Sequence, residues 1–227
     1  MTENNANSES TRQQQEAEMK QTVHELITKI DQNPDQYQNY YDLAAVLVEG
    51  KDLEQAEELL MKALGLFDSN ETARDLLTYG LGNVYYTAEE FDKAISWFTK
   101  IQSKQLQGDA YIMLAQSYLA KGDNKRSMAF ALSAQGKVKH DPQVNLMIGD
   151  NLLALGEFVK AGEFYDKVLA DDDHNGPANF NRGLVAMING EPYSDYFVTA
   201  KQFDPDYYAK SADKLKDIEQ FVKQNKQ

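Results

Sequence analysis

Apolar residues recur at helical spacing in paired runs that are separated by short polar turns. In one such pair, Leu81 and Tyr85 lie four residues apart in the first run, and Ala94 and Phe98 lie four apart in the second. Residues at this spacing share one face of a helix, so the pattern predicts two antiparallel helices packed against each other. Small residues such as Gly82 and Ala94 are expected at the closest approach. A hairpin this short cannot bury its apolar face alone, which predicts further copies.

The small residue of the first run repeats along the chain. It recurs in steps of 38, 33, 34 and 34 residues, at Ala44, Gly82, Ala115, Gly149 and Gly183. With this period and this hairpin pattern, residues 35 to 205 resemble the tetratricopeptide repeat (TPR) family. The resemblance implies an all-α, right-handed α-solenoid of about five helix-turn-helix hairpins with N- and C-terminal capping helices, about twelve helices in total. It also implies that the first helices of the hairpins line a concave groove.

The predicted organisation is a polar tail followed by a single solenoid over residues 13–227. Residues 1–12 are polar and carry too little apolar surface to offset the entropy of ordering, so they are predicted to be disordered. An amphipathic capping helix is predicted over residues 13–33, ahead of Pro34. The repeats are predicted at 37–70, 71–107, 108–141, 142–175 and 176–205, and a C-terminal capping helix is predicted at 206–224.

Two repeat boundaries carry local signals for the start of a helix. Asp68, with Glu71 three residues later, is typical of a capping box before the second hairpin. The long step to that hairpin predicts a first helix with an extra turn instead of a loop. Asp141 followed by Pro142 predicts an N-cap and first helical position for the fourth hairpin.

Composition excludes several classes of function. A net charge of -13 disfavours nucleic-acid binding, because phosphates are repelled at long range. The absence of cysteine excludes disulfides, thiolate catalysis and zinc–thiolate sites, and it fits a cytoplasmic location. No apolar run approaches the length of a membrane span, and the first residues lack the features of a signal peptide. We therefore predict a cytoplasmic protein that binds neither nucleic acid nor membrane.

Candidate catalytic and metal sites are weak. The segment 171–176 matches the opening of a calcium-binding EF-hand loop, but the twelfth position, which needs a carboxylate, is Arg182. The three histidines, His24, His140 and His174, belong to different segments. No nucleophile–base pair or phosphate-binding glycine loop is evident. We predict no metal, no cofactor and no enzymatic activity.

Members of the TPR family usually bind proteins or peptides in the groove. One subgroup grips the C-terminal carboxylate of chaperones with lysine, arginine and asparagine side chains, but the matching positions here contain no lysine or arginine, and only Asn83 fits. The groove is instead expected to be aromatic and apolar, although each residue could alternatively pack between neighbouring hairpins. The candidate groove residues are Tyr41, Tyr79, Asn83, Tyr86, Met113, Gln116, Leu119, Met147, Asp150, Phe180 and Met187.

The leading functional hypothesis is a scaffold or adaptor that binds a protein or peptide with apolar anchors. Few charges are expected at the site, so binding should depend weakly on salt. The alternative is a structural or regulatory protein that acts through self-association as a homo-oligomer. In that case its groove is filled by its own tail or by a segment of another copy.

Overall fold

The described part of the chain is all-α, which confirms the predicted fold class. The computed structural model describes the backbone of residues 2–138 and 141–225, and the side chains of all of these except residues 2–13, 15, 16, 221 and 225. These residues form thirteen helices and no strand. The helices are α1 (Thr2–Gln32), α2 (Tyr37–Glu49), α3 (Leu53–Leu66), α4 (Glu71–Thr87), α5 (Phe91–Phe98), α6 (Gln107–Ala120), α7 (Asn124–Gln135), α8 (Pro142–Ala154), α9 (Phe158–Asp171), α10 (Gly176–Asn189), α11 (Ser194–Phe203), α12 (Pro205–Lys210) and α13 (Ala212–Asn225).

The chain divides into two compact units, Met1–Ala110 (unit 1) and Tyr111–Gln227 (unit 2), with the boundary inside α6. In unit 1, α2 pairs with α3 and α4 pairs with α5, and α1 packs on α2. In unit 2, α8 pairs with α9 and α10 pairs with α11. The single solenoid predicted over residues 13–227 stays a prediction about how the units are joined.

At two crossings a glycine of the first helix lies against an aromatic ring of the second, whereas the sequence predicted small residues such as Ala94 at the closest approach. A Cβ added at Gly149 of α8 would lie 2.6 Å from a ring carbon of Tyr165 on α9. A Cβ added at Gly82 of α4 would collide with the ring of Phe98 on α5. Both rings are buried at the centre of their hairpin. The small residue is therefore needed because an aromatic side chain of the second helix occupies the space beside it.

Polar side chains start several of these helices. At the start of α8, Asp141 accepts hydrogen bonds from the backbone amides of Gln143 (2.8 Å) and Val144 (3.4 Å), as predicted. At the start of α4 the cap is Asn70, which accepts from the amide of Ala73 at 3.1 Å. The prediction of Asp68 as that cap was wrong. Asn70 directly precedes the first helical residue, whereas Asp68 lies two residues further out.

The second hairpin contains the predicted extra turn. Helix α4 has 17 residues, and a buried carboxylate, Asp75, lies near its start. Its Oδ2 accepts hydrogen bonds from the backbone amides of Gln102 (3.2 Å) and Ser103 (2.6 Å). These amides follow α5, which has only 8 residues. The longer helix thus fixes the chain that leaves the hairpin.

Both ends of the chain differ from the expected bounds. Helix α1 begins at Thr2, within the stretch predicted to be disordered, and no glycine or proline interrupts its 31 residues. The disorder predicted for residues 1–12 concerns mobility and stays a prediction. The predicted C-terminal helix is divided at Ser211 into α12 and α13. No glycine or proline lies beyond Pro205, and the residue at the break, Ser211, directly precedes α13, a position where serine is a preferred N-cap.

Candidate functional site

Four of the candidate groove residues lie in unit 1 and are half-buried, and we call them the tyrosine face. They are Tyr41 on α2 with Tyr79, Asn83 and Tyr86 on α4. The three on α4 follow each other by four and three residues, which places them on one side of the helix. The ring of Tyr79 packs on Phe98 with centroids 5.5 Å apart, and the ring of Tyr86 packs on Phe91 at 5.6 Å. The rings of Tyr79 and Tyr86 are thus each held on one side by an aromatic neighbour.

Three members of this face, Tyr41, Tyr79 and Asn83, lie close enough to influence the pKa of a neighbouring phenol. Burial raises the pKa of Tyr79 to about 12; the nearby phenol of Tyr41 and the carboxylate of Asp109 add to the shift, and a hydrogen bond from Asn83 opposes it. The pKa of Tyr41 is raised by burial, and then by the charges of Asp42 and Asp109. The tyrosine face is therefore an aromatic surface with an amide inside it and two carboxylates nearby.

The candidate residues in unit 2 divide by exposure. Met113, Gln116, Leu119 and Asp150 are half-buried, whereas Met147, Phe180 and Met187 are buried. Phe180 on α10 has no exposed surface, because the rings of Tyr207 and Tyr208 on α12 pack against it, with centroids at 5.8 and 5.5 Å. The α10 face that carries Phe180 and Met187 is thus covered by the chain's own C-terminal helices.

Beneath this cover lies a polar cluster, which we call the Asp150 network. Oδ1 of Asp150 accepts hydrogen bonds from the Tyr165 hydroxyl (2.9 Å) and from Nδ2 of Asn181 (2.8 Å). Asn181 also donates to the hydroxyl of Tyr207 at 3.2 Å. From α13, the ammonium group of Lys214 donates to Oδ1 of Asn181 at 3.0 Å. Residues of α8, α9, α10, α12 and α13 thereby contribute to one network around a carboxylate.

Burial dominates the electrostatics of this network. It raises the pKa of Asp150, and the charge of Lys214 and the hydrogen bonds from Tyr165 and Asn181 oppose the shift. Lys214 as a whole residue is exposed, but its ammonium group reaches the fully buried Asn181. Burial of that group lowers the pKa of Lys214, and Asp150 opposes this shift. The Asp150 carboxylate and the Lys214 ammonium group each stabilise the charged form of the other inside a weakly solvated site.

Sequence reasoning identified Asp150 but missed Tyr165, Asn181, Tyr207 and Lys214 as its partners. A signal for Lys214 does exist, because it follows Asn181 by 33 residues. That separation is close to the repeat period, so α13 continues the phase of the repeats past the last recognised hairpin. The C-terminal segment thus supplies the cation of this network, whereas Arg182 on α10 pairs elsewhere, with Asp166 and Glu191.

The acidic segment after α9 is exposed to solvent. The ligand atoms of Asp172, Asp173 and His174 lie within 4.8 Å of one another, and Nδ1 of His174 is 2.8 Å from Asp173. Arg182, which stands where an EF-hand needs a carboxylate, pairs instead with Asp166 (2.8 Å) and Glu191 (3.1 Å). His140 lies outside the described residues.

Paired antiparallel helices with a glycine or alanine where they cross are typical of helical-repeat proteins. Residues 37–70 match the family model of the tetratricopeptide repeat. The chain therefore contains a tetratricopeptide repeat and shares its fold with solved proteins of that kind, which are in general non-catalytic scaffolds for protein–protein interaction. No curated protein sequence matches the chain.

Solved structures share the fold at low sequence identity. YrrB, described as a TPR protein with an unusual peptide-binding site, is 23% identical with a TM-score of 0.56, covering 83% of this chain and 97% of its own. The pilF protein of Pseudomonas aeruginosa is 17% identical with a TM-score of 0.69, covering 85% and 87%. BtubC from P. vanneervenii is 15% identical with a TM-score of 0.63, covering 90% and 92%. Among the described residues, none of the helices has the length and apolar character that crossing a membrane requires.

Proposed function

We propose that this protein is a cytoplasmic, non-catalytic scaffold that binds a protein or peptide with apolar anchors, and that the tyrosine face of unit 1 forms part of the binding surface. The observation that carries the proposal is the half-exposure of Tyr41, Tyr79 and Tyr86 around the amide of Asn83. The peptide-binding site ascribed to YrrB, which shares the fold, is consistent with this use. The lack of cysteine motivates the proposed location.

Physical chemistry favours these side chains as contacts. Tyrosine offers a large, rigid, apolar ring with a polar tip and loses little conformational entropy on binding. The rings of Tyr79 and Tyr86 are already held by Phe98 and Phe91, so little ordering remains to be done when a partner arrives. The amide of Asn83 can bond to the backbone of an extended or helical peptide.

The test begins with peptides selected from a random display library on the wild-type protein. The affinity of the best peptide is then measured for the double variant Tyr79→Ala, Asn83→Ala. Loss of two contacts at a binding hot spot is expected to weaken affinity by about 2–4 kcal/mol, roughly a hundredfold. A matched control is Met61→Ala with Gln55→Ala, which removes an exposed apolar side chain and an exposed amide from α3 in the same unit.

Two results would contradict the proposal. One is a selected peptide whose affinity is equal for the wild type and the double variant. The other is binding that collapses on a modest addition of salt, because that behaviour indicates a charged surface in place of apolar anchors. Three half-buried candidates of unit 2, Met113, Gln116 and Leu119, are proposed as contacts within that unit and can be substituted in the same assay.

The second candidate function is self-association, with the groove filled by the chain's own tail or by another copy. The observation that favours it is the position of α12 and α13, which cover Phe180 and Met187 in unit 2. Size-exclusion chromatography at two concentrations distinguishes the candidates. A concentration-dependent dimer favours a groove filled by another copy, whereas a monomer at both concentrations favours external partners or cover by the chain's own C-terminal helices.

A further inference from the structure

The helices that cover the α10 face are much less buried than the face itself. None of the described side chains of α12 and α13 is buried, whereas Phe180, Asn181 and Leu184 of α10 have no exposed surface. Segments with few buried contacts open at a lower free energy than the rest of a structure. The α12–α13 segment can therefore separate while the hairpins α8–α9 and α10–α11 stay folded.

Separation of α12 and α13 would leave the α10 face without its apolar contacts and without its cation. Phe180, Leu184 and Met187 would be exposed to water, which is unfavourable for apolar side chains. Asp150 would keep its neutral donors, Tyr165 and Asn181, but would lose the cation that Lys214 supplies. A replacement helix without a cation would bury this carboxylate again with no counter-charge, which is strongly unfavourable. Any replacement must therefore supply both apolar contacts and a cation.

Helix α13 meets both needs with a regular spacing. Lys214, Ile218 and Val222 lie four residues apart and so share one face of the helix. Lys214 reaches the Asp150 network through Asn181, while Ile218 and Val222 pack against the core cluster that contains Phe180 and Met187. Leu215 packs against the same cluster. The face selects an amphipathic helix with a basic residue one turn before its apolar anchors.

We propose that the α10 face of unit 2 is an exchangeable binding site for an amphipathic helix of this kind, and that α13 occupies it as an internal ligand. The partner helix carries lysine or arginine four residues before the first of two apolar residues, themselves four residues apart. The proposal deepens the second candidate function, because it rests on the self-occupied groove, and it is independent of the tyrosine face. An external partner with this basic residue and these two apolar residues could displace α13.

The experiment uses the full chain with Ile218→Asp, which places a charge on the apolar side of α13 and weakens its attachment. The probe is a fluorescent synthetic peptide with the sequence of residues 205–225, spanning α12 and α13. Fluorescence anisotropy should show that the variant binds this peptide about tenfold or more tightly than the wild type does. A peptide with Lys214→Gln should bind the variant about tenfold or more weakly than the parent peptide.

The control peptide carries Lys216→Gln, which removes the same charge from the exposed side of α13, where Lys216 pairs with Asp213. It should bind like the parent peptide. If the peptides with Lys214→Gln and with Lys216→Gln bind equally, the requirement for a cation is wrong, although the groove is still self-occupied. If no peptide binds a variant whose helical content and unfolding midpoint show folded hairpins, the exchange itself is wrong.

Hydrogen exchange of the wild-type protein provides a test that does not depend on the variant. Amides of α13 should exchange faster than those of α10, and excess parent peptide should accelerate the exchange of α13 by displacing it. Equal protection of the two helices, unchanged by the peptide, would overturn the proposal. A stable dimer that resists the peptide would do the same, since it would assign the face to a second copy.

Discussion

The carboxylate of Asp75 near the start of α4 accepts a hydrogen bond of 2.6 Å from the backbone amide of Ser103, 28 residues later. The same oxygen accepts from the amide of Gln102. Asp75 is buried, and these amides have no place in a helix, because α5 has ended. The Asp75 carboxylate therefore accepts hydrogen bonds from otherwise unpaired backbone amides of the linker after α5, as an N-cap side chain does for the first amides of a helix.

Asp75→Ala should destabilise the protein by about 1–3 kcal/mol, because buried backbone donors are left without their acceptor. Urea denaturation monitored by circular dichroism measures this directly. Asp68→Ala, which removes an exposed carboxylate near the same helix, should change stability by less than about 0.5 kcal/mol. Similar losses for the two variants would contradict the structural role of Asp75.

Gly82→Ala should destabilise the protein by about 1–3 kcal/mol, because the new Cβ would collide with the ring of Phe98. The matched control is Gly65→Ala in α3, where an added Cβ meets nothing within 4 Å. That change should stabilise the helix by up to about 1 kcal/mol, through helix propensity alone. Thermal unfolding of the two variants should thus shift in opposite directions, and a shift in the same direction would refute the packing at Gly82.

Deletion of residues 1–12 should leave the unfolding midpoint unchanged. The first described buried side chain of α1 is Leu26, and Ile30 packs against the core of unit 1. Leu26→Ala should destabilise unit 1 by about 2–4 kcal/mol, as expected for a buried leucine. A large drop in midpoint after the deletion would show that the predicted tail contributes to the fold.

Stability should fall between pH 10 and 12, in part through Tyr79. Burial is the main cause that raises the pKa of its phenol from 10.0 to about 12, so the folded state keeps a proton that the unfolded state has already lost. This contribution to stability is complete below pH 10 and is lost as the pH rises to about 12. Tyr79→Phe should make the fall shallower in urea titrations at increasing pH, relative to the difference measured at pH 8. An unchanged slope would show that Tyr79 titrates normally.

The repeats could be predicted from the sequence because their signal is local and recurs. A small residue, such as Gly82, Gly149 or Gly183, recurs where the two helices of a hairpin cross, so each copy reinforces the others. Helix starts were predicted well where one capping residue was available, as at Asp141. At α4 two candidates stood two residues apart, and only the geometry of the first turn selects Asn70 over Asp68.

The Asp150 network could not be predicted in the same way. Its members come from five helices, and the sequence signal for Lys214 is indirect, since it consists of a separation of 33 residues from Asn181. The break at Ser211 is marked by that serine, a preferred N-cap, and not by a glycine or proline. The network depends on tertiary packing, in which Tyr207 and Tyr208 attach to Phe180 while α13 lies on α10. The burial of Phe180 follows from the same arrangement.

The crossing of each hairpin has a consequence for recombining the repeats of this protein. In three hairpins a glycine faces an aromatic ring, as in Gly82 with Phe98, Gly149 with Tyr165 and Gly183 with Phe197. In two others an alanine shares a core cluster with an aliphatic side chain, as in Ala44 with Leu60 and Ala115 with Ala131. A glycine on the first helix is thus matched with a ring on the second, and an alanine with a smaller aliphatic side chain. Whole hairpins are therefore the units that a chimera can exchange, whereas a first helix taken from one repeat and a second helix from another would leave a cavity or a clash.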